Sequence, residues 1–184
     1  MTLALKSMRF TVDQYQKMAE IGILEPEERL ELLKGYIIEM TPINSEHAGI
    51  VNFLTRELNR QLYKKAIICS QNPISLDEYN QPAPDIAIAH FREDDYRHAH
   101  PTAKDIWLVI EVADSSLEKD RQVKTELYAA AGIAEYWIVN IPAQQVECFS
   151  QPSDHLYGKK EIKVGGQMLS CQGLDFQLAV SQLF

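Results

Sequence analysis

The sequence predicts a mixed α/β fold, and three observations predict it. Apolar runs of strand length recur through the middle of the chain, among them "PDIAIA", "DIWLVIEVA" and "AEYWIVN". Two longer segments space their apolar residues at the helical period. A strand, a helix and a further buried strand follow one another between residues 105 and 140, the order of a crossover joining a parallel pair.

The elements follow in order. A first amphipathic helix is expected over 12–19, with Thr11 as its N-cap. In "RLELLKGYIIEM" two short apolar runs flank Lys34-Gly35, which reads as an N-terminal hairpin. In "NSEHAGIVNFLTRELNRQLYKK", Asn44 or Ser45 caps a helix whose Ile50, Val51, Leu54, Leu58 and Leu62 share a face. Three strands follow, "AIICSQNPISL", "PDIAIA" and "DIWLVIEVA", the last two separated by the polar loop "HFREDDYRHAHPTAKD". A second helix is expected over 117–131, stopped by Gly132. "AEYWIVN" is almost wholly apolar and reads as a strand buried on both faces. The remainder, "QVECFS", "HLYGKKEIKVGG" and "FQLAVSQLF", gives C-terminal strands and a short closing helix.

At 184 residues and 46% hydrophobic, the chain has the material for one domain, 1–184, with a sizeable core. Its net charge of −8 does not announce a nucleic-acid partner, because phosphate binding needs clustered cations; a local basic groove stays compatible with it. Cys69, Cys148 and Cys171 are odd in number and lack CxxC spacing, so neither zinc nor a disulfide framework is indicated, and a reducing compartment fits. No apolar run is long enough to span a membrane, and "MTLALKSMRF" is too short and mixed for a signal peptide. A cytoplasmic protein is expected.

Two carboxylates stand where strand patterning expects apolar residues. Asp85 opens "PDIAIA", on the face of Ala87 and Ala89. Glu111 lies late in "IWLVIEVA", where alternation groups it with Trp107, Val109 and Ala113. A buried carboxylate is costly unless it is paired or holds a cation. Taken singly, each is more simply read as structural, Asp85 starting a turn after Pro84 and Glu111 capping a strand end. The next helix changes the weighing: with Leu127 at the centre of its buried stripe, Asp120, Val123, Lys124, Ala130 and Ala131 fall within roughly 60° of it. An inward Asp and Lys, flanked by Tyr128, would then meet Asp85 and Glu111 at one end of a sheet. Lys119 points elsewhere on this wheel and reads as solvated. Two carboxylates and an ammonium suit a hard divalent cation, Mg²⁺ with Mn²⁺ as substitute, and phosphodiester hydrolysis.

These residues resemble the PD-(D/E)xK nuclease superfamily, with Pro84-Asp85 as "PD" and Glu111 as the second acid. More narrowly, "ERLELLKGYIIEMTPINSEH", "PAPDIAIA", "LVIEVADSSLEKDRQVKTELYAAAGIAEYWIVN" and "GLDFQLAVSQLF" resemble the Uma-type family of restriction-endonuclease-like proteins, formerly a domain of unknown function. The resemblance implies a restriction-endonuclease-like core, a central mixed β-sheet flanked by helices, and Mg²⁺-dependent DNA cleavage. In one respect the chain departs from the pattern: Ala113 stands where the motif lysine belongs. The resemblance implies that the lysine has moved to the following helix, and Lys124 is the residue the helical wheel selects.

Other residues are weighed against plainer roles. His47, in the first turn of its helix, is either a surface capping-region residue or a contact for phosphate or attacking water, and its match to the family's S-x-H step favours the second. Glu39, at the end of the hairpin, is either an edge-strand surface residue or a further metal ligand. Glu31 reads as structural, and His98-Ala99-His100 as part of a solvated loop. The leading expectation is a homodimeric endonuclease acting on DNA, with Asp85, Glu111 and Glu39 as metal residues, Lys124 stabilising charge, Asp120 orienting it, and His47 beside them. Against it stands a decayed binding module on the same fold, favoured by Ala113 and the acidic balance. A glycosidase built on Asp85 and Glu111 is weaker, because the inward Asp and Lys have no place in it.

Overall fold

The computed structural model describes residues 7–25 and 28–184. The opening residues 1–6, part of the segment weighed as a signal sequence, lie outside them. Among the described residues no helix is long and apolar enough to cross a membrane.

Helix α1 (Val12–Glu20) starts where expected, closed by a capping box between Thr11 and Gln14. It buries no residue fully and is docked by the Tyr15 hydroxyl, which donates to the Leu30 carbonyl at 3.1 Å. Strands β1 (Leu30–Leu33) and β2 (Tyr36–Glu39) form the hairpin. Lys34 and Gly35 both have positive φ, 52° and 80°, as a two-residue turn of the twist-matched kind requires. Any Cβ on Gly35 would come within 2.8 Å of Arg9 Cβ, so the glycine is needed twice over.

Helix α2 (Ser45–Gln61) is capped by Asn44, whose side chain accepts from the His47 amide at 2.9 Å. Ile50, Val51, Leu54 and Leu58 form its buried stripe. The central sheet has six strands in sequence order: β3 (Ala66–Ser70), β4 (Ile86–His90), β5 (Ile106–Ala113), β6 (Glu135–Asn140), β7 (Gln145–Ser153) and β8 (Leu156–Val164). Every neighbouring pair is antiparallel except β5–β6, the parallel pair the sequence order implied. β9 (Met168–Leu169) and β10 (Leu178–Ala179) make a small separate pair, and a 3-10 turn (Val180–Gln182) ends the fold.

The helix expected over 117–131 is present in three uninterrupted pieces. They are α-helix Leu117–Lys119, a π-helical turn Asp120–Lys124 and α-helix Thr125–Ala130, together α3. The sheet is sandwiched. One face carries Ile86, Ile88, Leu108, Ile110, Val112, Trp137 and Val139, packed on α2 and the C-terminal segment. The other carries Ala87, Ala89, Val109, Ala113, Tyr136 and Ile138 beneath α3.

Three expectations are corrected. The strand read in "AIICSQNPISL" stops at Ser70: Gln71 has a positive φ of 54°, Pro73 cannot donate to a ladder, and 71–85 is an irregular crossing. Trp107 leaves the face of Glu111, because the β4–β5 register shifts between Ile88 and Ala89; Trp107 packs with the α2 face and Ile106 with the α3 face. In α3 the buried positions are Asp120, Lys124, Leu127, Tyr128 and Ala129 rather than Ala130 and Ala131, since the π turn resets the phase of the wheel.

Candidate active site

β4 begins and β5 ends at the same edge of the sheet, so Asp85 and Glu111 arrive side by side under the first turns of α3. The Asp85 amide points at Glu111 Oε2, 3.4 Å away. The Asp85 carboxylate accepts the Val112 amide at 2.9 Å and Gln71 Nε2 at 3.2 Å, and its Oδ2 lies 3.0 Å from His47 Nε2. Burial works to raise this carboxyl, but His47, Val112 N–H and Gln71 outweigh it and hold the group below its ordinary value.

Glu111 is in the opposite condition. Burial is the dominant influence and raises its carboxyl, with Asp120, Asp85 and Glu31 adding repulsion against the attraction of Lys124. Lys124 Nζ donates to Glu111 Oε1 at 2.8 Å, and the Tyr128 hydroxyl donates to the same oxygen at 2.8 Å. Lys124 also stands 3.2 Å from Glu31 Oε2 and 3.9 Å from Asp120 Oδ1. Burial opposes its charge, yet the three carboxylates prevail and raise its pKa. Asp120 is buried with its carboxyl raised, chiefly by desolvation, and takes a 2.7 Å hydrogen bond from Ser116 Oγ.

Asp85, Glu111, Asp120, Lys124 and His47 therefore all line one cleft of about 510 Å³, counting the solvent at its mouth. Glu39 does not. It pairs with Leu30, whereas Glu31 pairs with Ile38, so the two acids point to opposite faces of the hairpin and Glu39 is exposed. Glu31 takes the inner position, fully buried, bonded to Lys119 Nζ at 2.9 Å and paired with Lys124. Lys119 lines the cleft as well, contrary to its solvated assignment. Sequence reasoning missed this pair. The available signal was a glutamate set between Leu30 and Leu32 in a short strand. Ala113 is buried under α3, and the Lys124 ammonium enters from that helix. His98 and His100 form no part of the cleft.

The donor set fits a divalent cation. Four buried acids, Glu31, Asp85, Glu111 and Asp120, face two ammoniums, Lys119 and Lys124, and a bound cation would offset the burial and repulsion that raise Glu111 and Asp120. Among the described residues no group of three or more His, Cys, Asp and Glu is gathered as a metal cluster. A cation held by Asp85 and Glu111 would complete its shell with other oxygens, as Mg²⁺ commonly does.

A family model, Uma2, described as "Putative restriction endonuclease", matches residues 12–181. The chain belongs to the Uma2 family. Among solved structures it resembles the crystal structure of a "putative nuclease belonging to DUF820" from Anabaena variabilis, at 16% identity and a TM-score of 0.73. That match covers 95% of this chain and 97% of the other. At this identity it shows the shared fold. No curated protein matches the chain.

Proposed function

We propose that this Uma2 protein is a metal-dependent endonuclease that hydrolyses DNA phosphodiester bonds, with 1–184 working as one nuclease-like domain and two copies cooperating on duplex DNA. The observation that carries the reading is the meeting of Asp85, Glu111 and Lys124 at one cleft edge. Asp85 and Glu111 are the residues that would hold Mg²⁺, which when bound supplies Lewis-acid stabilisation of a phosphoryl oxygen and a more acidic water. Lys124, kept charged by its neighbours, stabilises negative charge developing on the phosphoryl group. Asp120, itself held by Ser116, orients the ammonium, and His47 with the Val112 amide fixes the Asp85 carboxylate.

One observation favours a second reading, a binding module without hydrolysis: Lys124 is 2% exposed and already engaged by three carboxylates. Plasmid nicking with Mg²⁺ or Mn²⁺, beside calorimetric titration of the same metals, separates the two. The nuclease binds metal and nicks DNA, and Asp85→Ala and Glu111→Ala each lose both. A folded parent that binds metal neither alone nor with DNA removes the metal mechanism.

A further inference from the structure

The floor of the cleft is acidic, so a polyanion must be met by cations at its rim. Four cationic or potentially cationic side chains line it: Arg29, His47, Lys119 and Lys124. Two are committed. Lys124 is encircled by carboxylates, and His47 Nε2 sits on Asp85. Lys119 differs, with its side chain 26% exposed and its ammonium donating at 2.9 Å to Glu31. An ammonium has three donors, so this one is anchored and retains donors for a ligand.

Arg29 reaches the same wall by strand geometry. Its carbonyl accepts the Met40 amide at 2.8 Å, extending the β1–β2 ladder by one residue beyond Leu30↔Glu39. Residues two apart on a strand share a face, so Arg29 stands on the side of Glu31, the residue that holds Lys119. Glu31 itself is fully buried, with one oxygen turned to Lys119 and the other to Lys124.

We propose that Arg29 and Lys119 form a clamp for a backbone phosphate of DNA beside the cleavage cleft, with Glu31 as the residue that positions Lys119. The clamp rests on the nuclease reading for its ligand, but it is tested by binding rather than by cleavage. The probe is a fluorescein-labelled DNA duplex, titrated by anisotropy into the full chain without divalent cation over a range of salt. Each phosphate contact contributes about 0.9 to the slope of log affinity against log salt, so Arg29→Ala and Lys119→Ala should each lower that slope by about 1. Lys119→Arg should restore it, and Lys159→Ala, on β8 and outside the cleft, should leave it unchanged.

Slopes that fall as expected support the clamp, and if that protein does not cut DNA only the nuclease reading is lost. Unchanged slopes in both variants, with metal-dependent nicking intact, overturn the clamp and leave the nuclease standing. A folded parent that binds no duplex at low salt overturns the clamp.

Discussion

The Lys124 ammonium and the Glu111 carboxylate meet at 2.8 Å between α3 and β5, both side chains almost without solvent. Removing one member of such a pair leaves the other buried and unpaired, which costs about 3–5 kcal/mol. Here three carboxylates would lose their shared cation. Lys124→Met should therefore lower the melting temperature by roughly 6 to 20 °C, taking about 2–4 °C per kcal/mol for a chain of this size. It should also lower the cleavage rate by a factor on the order of 10² to 10³. Mg²⁺ or Mn²⁺ should raise the melting temperature of Lys124→Met more than that of the parent, since the added cation offsets charge the lysine no longer covers. Equal shifts in both would place the metal elsewhere.

Tyr128 supplies the second donor to Glu111 Oε1, from a fully buried ring. Tyr128→Phe keeps the packing and deletes only the hydroxyl, and Glu111 keeps Lys124. The expected cost is about 1–2 kcal/mol, visible in urea unfolding as a lower midpoint with an unchanged slope.

Much of this site was legible because local rules sufficed. Asp85 and Glu111 stood out as charges in apolar runs, and Lys124 as a cation inside a helical stripe. Glu31 and Lys119 were not legible for a different reason: they touch each other across 88 positions of sequence. Periodicity within either element says nothing about that contact. Choosing between Glu31 and Glu39 needed the hairpin's face, which only its docking under α3 fixes. The crossover order gave the parallel β5–β6 pair correctly, but the bulge that turned Trp107 away has no signature in an alternating apolar run.

Away from the cleft, Glu147 is fully buried on β7 and accepts hydrogen bonds from Arg121, from Lys160 and, at 3.3 Å, from Asn140. Burial works to raise its carboxyl, but these partners outweigh it and bring it down to about 2, from a reference of 4.5. A depressed folded-state value means the contribution is fully present above the unfolded value and is lost as pH falls towards 2. By linkage this limb is worth up to about 3 kcal/mol. Urea midpoints measured from pH 5 downwards should fall steeply in the parent and less steeply in Glu147→Gln. Parallel curves would show that the ion cluster does not set acid stability.

The π turn is the least expected element of α3 and makes the sharpest prediction. The Asp120 carbonyl receives the Thr125 amide five residues on, the Thr125 hydroxyl at 2.9 Å and the Tyr136 hydroxyl at 3.3 Å. Such a turn amounts to one residue inserted into an α-helix, and insertions of this kind recur at functional sites. Gln122 lies within it and is exposed. Deleting Gln122 should restore a continuous α-helix, leaving 124–130 seated on the sheet as before and turning 117–121 by about 100° about the helix axis. Far-UV circular dichroism should then change little, and melting should stay cooperative. The spacing of Asp120 and Lys124 would shorten from four residues to three, however, and their 3.9 Å relationship would be lost. Cleavage should fall while the fold persists. If the deletion unfolds the protein instead, the π turn serves packing and not the placement of the lysine.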